Sequence, residues 1–125
     1  MSRKRVLIVD DNRLVAESLR AMVAAQADVD VQVVTDGAQA AALLQAEPPL
    51  DAVICDLGMP GIDGITLFEA LGRRGSRLAR RFLLITGGAV TDAASGFLAA
   101  SAVPCLHKPF DSAELQKMLA PLLAD

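Results

Sequence analysis

Five polar residues in this chain each lie at or just beyond the end of a short apolar run: Asp10 and Asp11 after "VLIV", Asp56 after "AVIC", Thr86 after "FLLI" and Lys108 after "VPCL". Carboxylates that meet in one place repel, and without a cation at least one is driven toward protonation. A small hard cation removes the conflict. Magnesium prefers an octahedron of oxygens, keeps several waters, and takes one or two carboxylates together with a phosphate oxygen. Lys108 adds a compact positive charge and Thr86 a hydroxyl donor, both suited to phosphoryl oxygens. Gly58, Gly61, Gly87 and Gly88 put no side chain in the way of an incoming group. The set suits an aspartate that accepts a phosphoryl group.

For these residues to meet, the apolar runs must be strands that end at one edge. Val6–Val9, Ala52–Cys55 and Phe82–Ile85 are continuously apolar, as strands covered on both faces are, and Val31–Val34 and Val103–Leu106 are weaker versions. Between them, Val15, Leu19, Met22 and Val23 fall at helical spacing, as do Leu67, Phe68 and Leu71, and Leu115, Met118, Leu119 and Leu122. Strand then helix, five times over, implies an α/β fold: a doubly wound five-stranded parallel sheet with helices on both faces. Ligands bind such sheets at the carboxyl ends of the strands, near the switch in strand order. Pro48-Pro49 marks the entry to the third strand, and Pro121 is expected to end or kink the last helix.

A chain of 125 residues, 53% hydrophobic, holds one domain with a core and is short for two, so residues 1–125 read as a single domain. Twelve basic against fifteen acidic side chains offer no bulk attraction for nucleic acid or anionic lipid. Neither a membrane-spanning run nor a signal sequence is evident, and the expected location is the cytoplasm. Cys55 and Cys105 lack metal-ligand spacing and read as small buried hydrophobes.

"VLIVDD", "DLGMPGIDG", "LLITGG" and "LHKPF", in this order and spacing, resemble the receiver domain of two-component response regulators, over essentially the whole chain. The resemblance implies the (βα)5 flavodoxin-like receiver fold and a Mg2+-dependent phosphorelay function. Asp56 would accept a phosphoryl group from a histidine kinase or histidine phosphotransfer protein. Asp11 and Asp56 would ligate Mg2+ directly, Asp10 through water and Gly58 through its carbonyl. Thr86 would be the switch hydroxyl, and Lys108, before a cis Pro109, the phosphoryl-binding lysine. Such a domain assists its own phosphorylation and dephosphorylation rather than turning over a separate substrate. The resemblance leaves room for a weak homodimer and implies neither direct nucleic acid binding nor membrane insertion. The "ITGG" to "LHKPF" segment is similar to receivers at the carboxyl end of hybrid histidine kinases. With the chain closing soon after the fifth helix and no helix-turn-helix in it, the polypeptide itself is not expected to be a transcription factor.

Other classes remain to be weighed. A haloacid-dehalogenase-like phosphatase also uses a strand-end aspartate with magnesium, but wants Asp-x-Asp where Asp10 and Asp11 are adjacent. A flavodoxin-like flavin carrier needs a phosphate-cradling loop where this chain has two acids. A degenerate receiver that only binds protein is the third. Singly, Asp10 or Asp11 could cap a helix, Lys108 could snorkel and Thr86 could be a strand residue; their joint placement favours function. Met59-Pro60 reads mainly as a turn, and His107 is assigned no phosphotransfer role. "RRGSRLARR", Arg73 to Arg81, reads as a solvated loop rather than a docking patch. Cys105 stands three residues before the lysine, where such receivers usually carry Tyr or Phe, so no ring there can follow Thr86. The Ala- and Gly-rich fourth helix, Thr91 to Ala102, has few large side chains to anchor it and is expected to be mobile.

Overall fold

The computed structural model describes residues 3–26, 28–46, 48–59, 61–88 and 91–124. Pro60, half of the expected Met59-Pro60 turn, lies outside the described residues. Five strands, β1 (Lys4–Val9), β2 (Val29–Val34), β3 (Ala52–Asp56), β4 (Phe82–Thr86) and β5 (Cys105–His107), alternate with five α-helices. The helices are α1 (Arg13–Gln26), α2 (Gly37–Gln45), α3 (Gly64–Arg73), α4 (Asp92–Ala100) and α5 (Ser112–Leu123). All strand pairs are parallel, in the order β2-β1-β3-β4-β5. The chain therefore winds outward from β1 to β2 and then in the other direction through β3, β4 and β5. That reversal puts the topological switch between β1 and β3.

The continuous apolar runs divide by side-chain alternation. Val6, Ile8, Ala52, Ile54, Leu83, Ile85 and Leu106 face one layer, with Ala16, Leu19 and Val23 of α1 and Leu115, Leu119 and Leu122 of α5. Leu7, Val9, Val53, Cys55, Phe82 and Leu84 face the other, with Ala40 and Leu44 of α2 and Leu67 and Leu71 of α3. A strand buried on both faces has no polar position to spare until it ends, so the first polar residues appear at the sheet's edge.

Several boundaries differ from expectation. β5 starts at Cys105 rather than Val103: Pro104 has no N–H for the ladder, although its carbonyl accepts Leu84 N–H at 3.0 Å. Pro121 does not end α5, which continues to Leu123. It stands in the last turn on the exposed face, while Leu122 beside it is buried. Cys55 is buried as expected, but Cys105 is only partly so.

The arginine stretch is more than a solvated loop. Residues 77–80 form a 3-10 turn, and three side chains reach back to main-chain carbonyls. Arg74 donates to Leu44 O near the end of α2 at 2.8 Å, Arg77 to Leu50 O ahead of β3, and Arg81 to Leu122 O near the end of α5 at 2.7 Å. The last carbonyls of a helix lack intrahelical partners and carry partial negative charge, so guanidinium donors satisfy both needs.

The ring absent at residue 105 has a counterpart elsewhere. Phe68 of α3 meets Phe82 of β4 edge to face at 5.6 Å and Phe97 of α4 at 5.7 Å. Phe97, Leu98, Val103 and Cys105 all pack on the same buried cluster. No residue of α4 is itself buried. An edge-to-face pair adds only about 0.5–1.5 kcal/mol beyond its area burial, so this ladder is a thin anchor for a nine-residue helix. Amide hydrogens of α4 are expected to exchange ~10-fold or more faster than those of α1, which buries Ala16, Leu19 and Val23. Equal protection in the two helices, measured by hydrogen exchange, would contradict this.

Candidate functional site

Register brings the polar residues together. Val9 pairs with Cys55, so Asp10 and Asp56 follow on adjacent strands. Asp56 pairs with Ile85, placing Thr86 one step on, and Lys108 N–H donates to Thr86 O at 2.8 Å. Asp10, Asp11 and Asp56 each offer an oxygen within 4.8 Å of the other two. A cleft of about 600 Å3 opens there, lined by Asp56, Gly58, Thr86, Gly87, Gly88 and Lys108 among others. Asp10, Asp11, Asp56, Thr86 and Lys108 thus lie along one edge of the sheet, beside the switch between β1 and β3. The peptide bond before Pro109 is cis. His107 is exposed on β5 and does not line the cleft.

The carboxylates occupy different environments. Asp10 is 1% exposed, Asp56 is half-buried and Asp11 is exposed. Asp10 Oδ1 accepts Asn12 N–H at 2.9 Å, while the buried Oδ2 has no hydrogen-bond partner and lies 3.8 Å from Lys108 Nζ. That separation allows ion pairing but is too long for a hydrogen bond. Burial raises the Asp10 pKa, and the charges of Asp56 and Asp11 add to the rise; the Asn12 N–H and the Lys108 ammonium oppose it. Cys55, directly below Asp56, has its thiol pushed up, first by burial and then by the neighbouring acids, and stays an inert packing group.

An orphaned buried carboxylate oxygen beside two further carboxylates is the donor set a hard cation fits. Oxygens sharing a magnesium ion at about 2.0–2.1 Å lie roughly 3–4 Å apart. A spread of up to 4.8 Å accommodates two direct ligands and a third acting through water. The glycines fit the same picture. A Cβ at Gly58 or Gly88 would meet nothing within 4 Å, so both positions are open, whereas one at Gly87 would lie 2.7 Å from Lys108 Cδ and displace the lysine stem.

The cleft also has walls that sequence reasoning missed: Met59, Asp63, Ile65, Thr91 and Ala94. Asp63 and Thr91 are N-caps, accepting from Thr66 N–H at 2.8 Å and Ala94 N–H at 3.1 Å. Their sequence signal was a capping residue ahead of a helical pattern, which says where α3 and α4 begin but not that both helices start at the cleft.

Comparison with known proteins agrees with this geometry. Residues 6–120 match the response regulator receiver domain. The chain is 39% identical to the transcriptional regulatory protein TctD of Salmonella typhimurium over 120 residues, covering 95% of this chain and 51% of TctD. It is 36% identical to the response regulator MprA of Mycolicibacterium vanbaalenii over 120 residues, covering 95% of this chain and 50% of MprA. The crystal structure of a putative response regulator from Chloroflexus aurantiacus superposes with a TM-score of 0.78 at 32% identity, covering 99% of this chain and all of that one (100%). The chain belongs to the response regulator receiver domain family, and it spans about half the length of the curated relatives it matches. It is a signalling domain of the two-component type. No helix among the described residues is long and apolar enough to cross a membrane.

The raised Asp10 pKa has a definite sign for stability. Folded Asp10 holds its proton more tightly than unfolded Asp10, so stability falls as pH rises from the ordinary carboxylate range through the raised folded value. Above that window the penalty is constant. At neutral pH without metal, Asp10→Asn is therefore expected to melt at a higher temperature than the native chain. The same variant should lose most of any Mg2+-induced rise in Tm. Melting both proteins in EDTA and in Mg2+ checks both statements, and a destabilised Asp10→Asn in EDTA would refute the first.

Proposed function

We propose that this chain is a phosphoacceptor receiver domain, residues 1–125, in which Asp56 takes a phosphoryl group from a histidine kinase or histidine phosphotransfer protein. The observation that carries this reading is the convergence of Asp10, Asp11 and Asp56 on one point, with Thr86 and Lys108 on the wall of the same cleft. Asp11 and Asp56 would hold Mg2+ directly, Asp10 through water, and Gly58 by its carbonyl. When bound, Mg2+ neutralises charge on the phosphoryl oxygens and relieves the repulsion among the three carboxylates.

A carboxylate oxygen of Asp56 attacks phosphorus in line with the donor's leaving group. The phosphorus–oxygen bond to Asp56 forms as the bond to the donor nitrogen or oxygen breaks, and the leaving group departs with its electron pair. The Lys108 ammonium meets negative charge on the transferring group, and the Thr86 hydroxyl donates to one of its oxygens. Ion pairing with buried Asp10 keeps the Lys108 head turned into the cleft before a phosphoryl group arrives. In the reverse reset, water attacks phosphorus, the Asp56 carboxylate leaves and inorganic phosphate is released. Phosphorylation then switches a protein-interaction surface.

The matched family and the adjacent acids Asp10-Asp11 argue against the phosphatase reading. TctD and MprA carry regulator rather than kinase names, which supports a response-regulator receiver over the receiver of a hybrid histidine kinase. A net charge of -3 and an acid-lined cleft support a protein partner for the domain itself, and a cytoplasmic setting fits that partner.

Intact-mass analysis after incubation with acetyl phosphate and Mg2+ tests the reading. One phosphoryl adduct is expected on the native chain, none in EDTA and none on Asp56→Asn; an undiminished adduct on Asp56→Asn would refute the assignment. The phosphorylated form should be short-lived, decaying in minutes, because Gly58 and Gly88 leave the approach of water open. A phosphoprotein that persists for hours in Mg2+ would contradict that lifetime.

A further inference from the structure

The connection from β3 to α3, of which residues 57–59 and 61–63 are described, carries Gly58 and Asp63, which both line the cleft. Near its far end it is met by the start of α2. A Cβ built on Gly37 would lie 2.3 Å from Ile62 O, 3.3 Å from the Ile62 carbonyl carbon and 3.2 Å from Ile62 Cβ. Real side chains do not approach a main-chain oxygen so closely, and a backbone oxygen cannot swing aside as a side-chain tip can. The two backbones touch because residue 37 has no side chain.

The contact is firmly backed. Gly37 is buried, and α2 behind it is anchored by Ala40 and Leu44 in the core. Asp36 fixes the first turn by accepting Ala38 N–H at 2.7 Å. Electrostatics favour the approach, since a helix N-terminus carries partial positive charge and the nearest Ile62 atom is its carbonyl oxygen. A second close approach brings the start of α3 back onto the end of β3. A Cβ on Gly64 would lie 2.9 Å from Asp56 O and 2.6 Å from Leu84 Cδ2. Just ahead of Ile62, Gly61 turns the chain at φ 77 degrees, a conformation that favours glycine.

We propose that Gly37 is a positioning residue for the phosphoacceptor site. By letting α2 bear on the Ile62 carbonyl, it holds Gly61 to Asp63 in place beside Asp56 and so fixes the Gly58 carbonyl relative to the carboxylates. This rests on the assignment of Asp56 and its metal given above. Gly37 touches neither metal nor phosphoryl group; it acts through the loop. A side chain there moves the loop outward, and the metal loses geometry before the fold loses its core, whose buried residues lie behind the contact.

The test is Mn2+ affinity by electron paramagnetic resonance, with thermal melts in EDTA, for the native chain, Gly37→Ala, Asp36→Ala and Gly72→Ala. Gly37→Ala, folded by circular dichroism, is expected to bind Mn2+ ~10-fold more weakly than the native chain and to need correspondingly more Mg2+ for the acetyl phosphate adduct. Asp36→Ala loosens the start of α2 without adding bulk there and should shift affinity in the same direction by less. Gly72→Ala, on α3 with nothing within 4 Å, should leave Mn2+ affinity unchanged. A Gly37→Ala protein that melts lower yet binds Mn2+ like the native chain overturns the proposal, because packing alone then explains the glycine. If Gly37→Ala does not fold, native affinity in Asp36→Ala overturns it as well. Failure of the underlying reading looks different: the native chain itself then neither binds Mn2+ nor takes up a phosphoryl group, and both proposals fall.

Discussion

Asp10 is buried as a carboxylate with one oxygen unpartnered and two other acids within reach, and much of the site's architecture bears on that electrostatic conflict. Water would stabilise the charge, but the sheet and its helices exclude it. Within the fold, the Asn12 N–H and the Lys108 ammonium give partial relief, and both come from segments that the sheet must place correctly. Such an arrangement costs stability and in return concentrates negative charge beside Asp56. On the function proposed above, a cation would balance that charge, and a phosphoryl group would extend the interaction to Lys108 and Thr86.

Placement of those groups is a matter of register. A shift of one residue between β1 and β3 would turn Asp56 away from Asp10 and swap the shifted strand's side chains between the two core layers, upsetting the packing of both. The hydrophobic pattern that folds the sheet therefore also aligns the acids. Close backbone approaches at Gly37 and Gly64 carry the same precision into the loop after Asp56, where no ladder operates. At the opposite edge, Arg74, Arg77 and Arg81 hold carbonyls at or near the ends of α2 and α5 and ahead of β3, which ties the α3–β4 connection to both helical layers.

Away from the site the constraints weaken toward α4. Its first turn borders the cleft at Thr91 and Ala94, yet its hold on the core is limited to partly buried Ala94, Phe97 and Leu98, with the Phe97 ring leaning on Phe68. With Cys105 in the place of a strand aromatic, the rings that connect α4 to the sheet come from α3 and β4 instead. The strand–helix alternation, the parallel sheet it implies and the identity of the acids were legible in the sequence because each depends on local pattern: continuous apolar runs, helical spacing, polar residues at run ends. The arginine–carbonyl bonds were not, since a guanidinium's partner can be any carbonyl the fold brings near. Neither was the reach of α5 past Pro121, which depends on Leu122 being buried against the sheet.

By itself, then, the sequence determined the α/β alternation, the candidate phosphoacceptor Asp56 with Asp10, Asp11, Thr86 and Lys108, and the family they resemble, because these are properties of residue type and spacing along the chain. Only the tertiary structure decided that Asp10 is buried with an orphaned oxygen while Asp11 is exposed. Only it showed Asp63 and Thr91 in the cleft wall, and Gly37 against Ile62. Burial and contact between residues distant along the chain are set by how layers pack, and a side chain's charge, hydrogen bonds and room to move follow from that packing rather than from its neighbours in sequence.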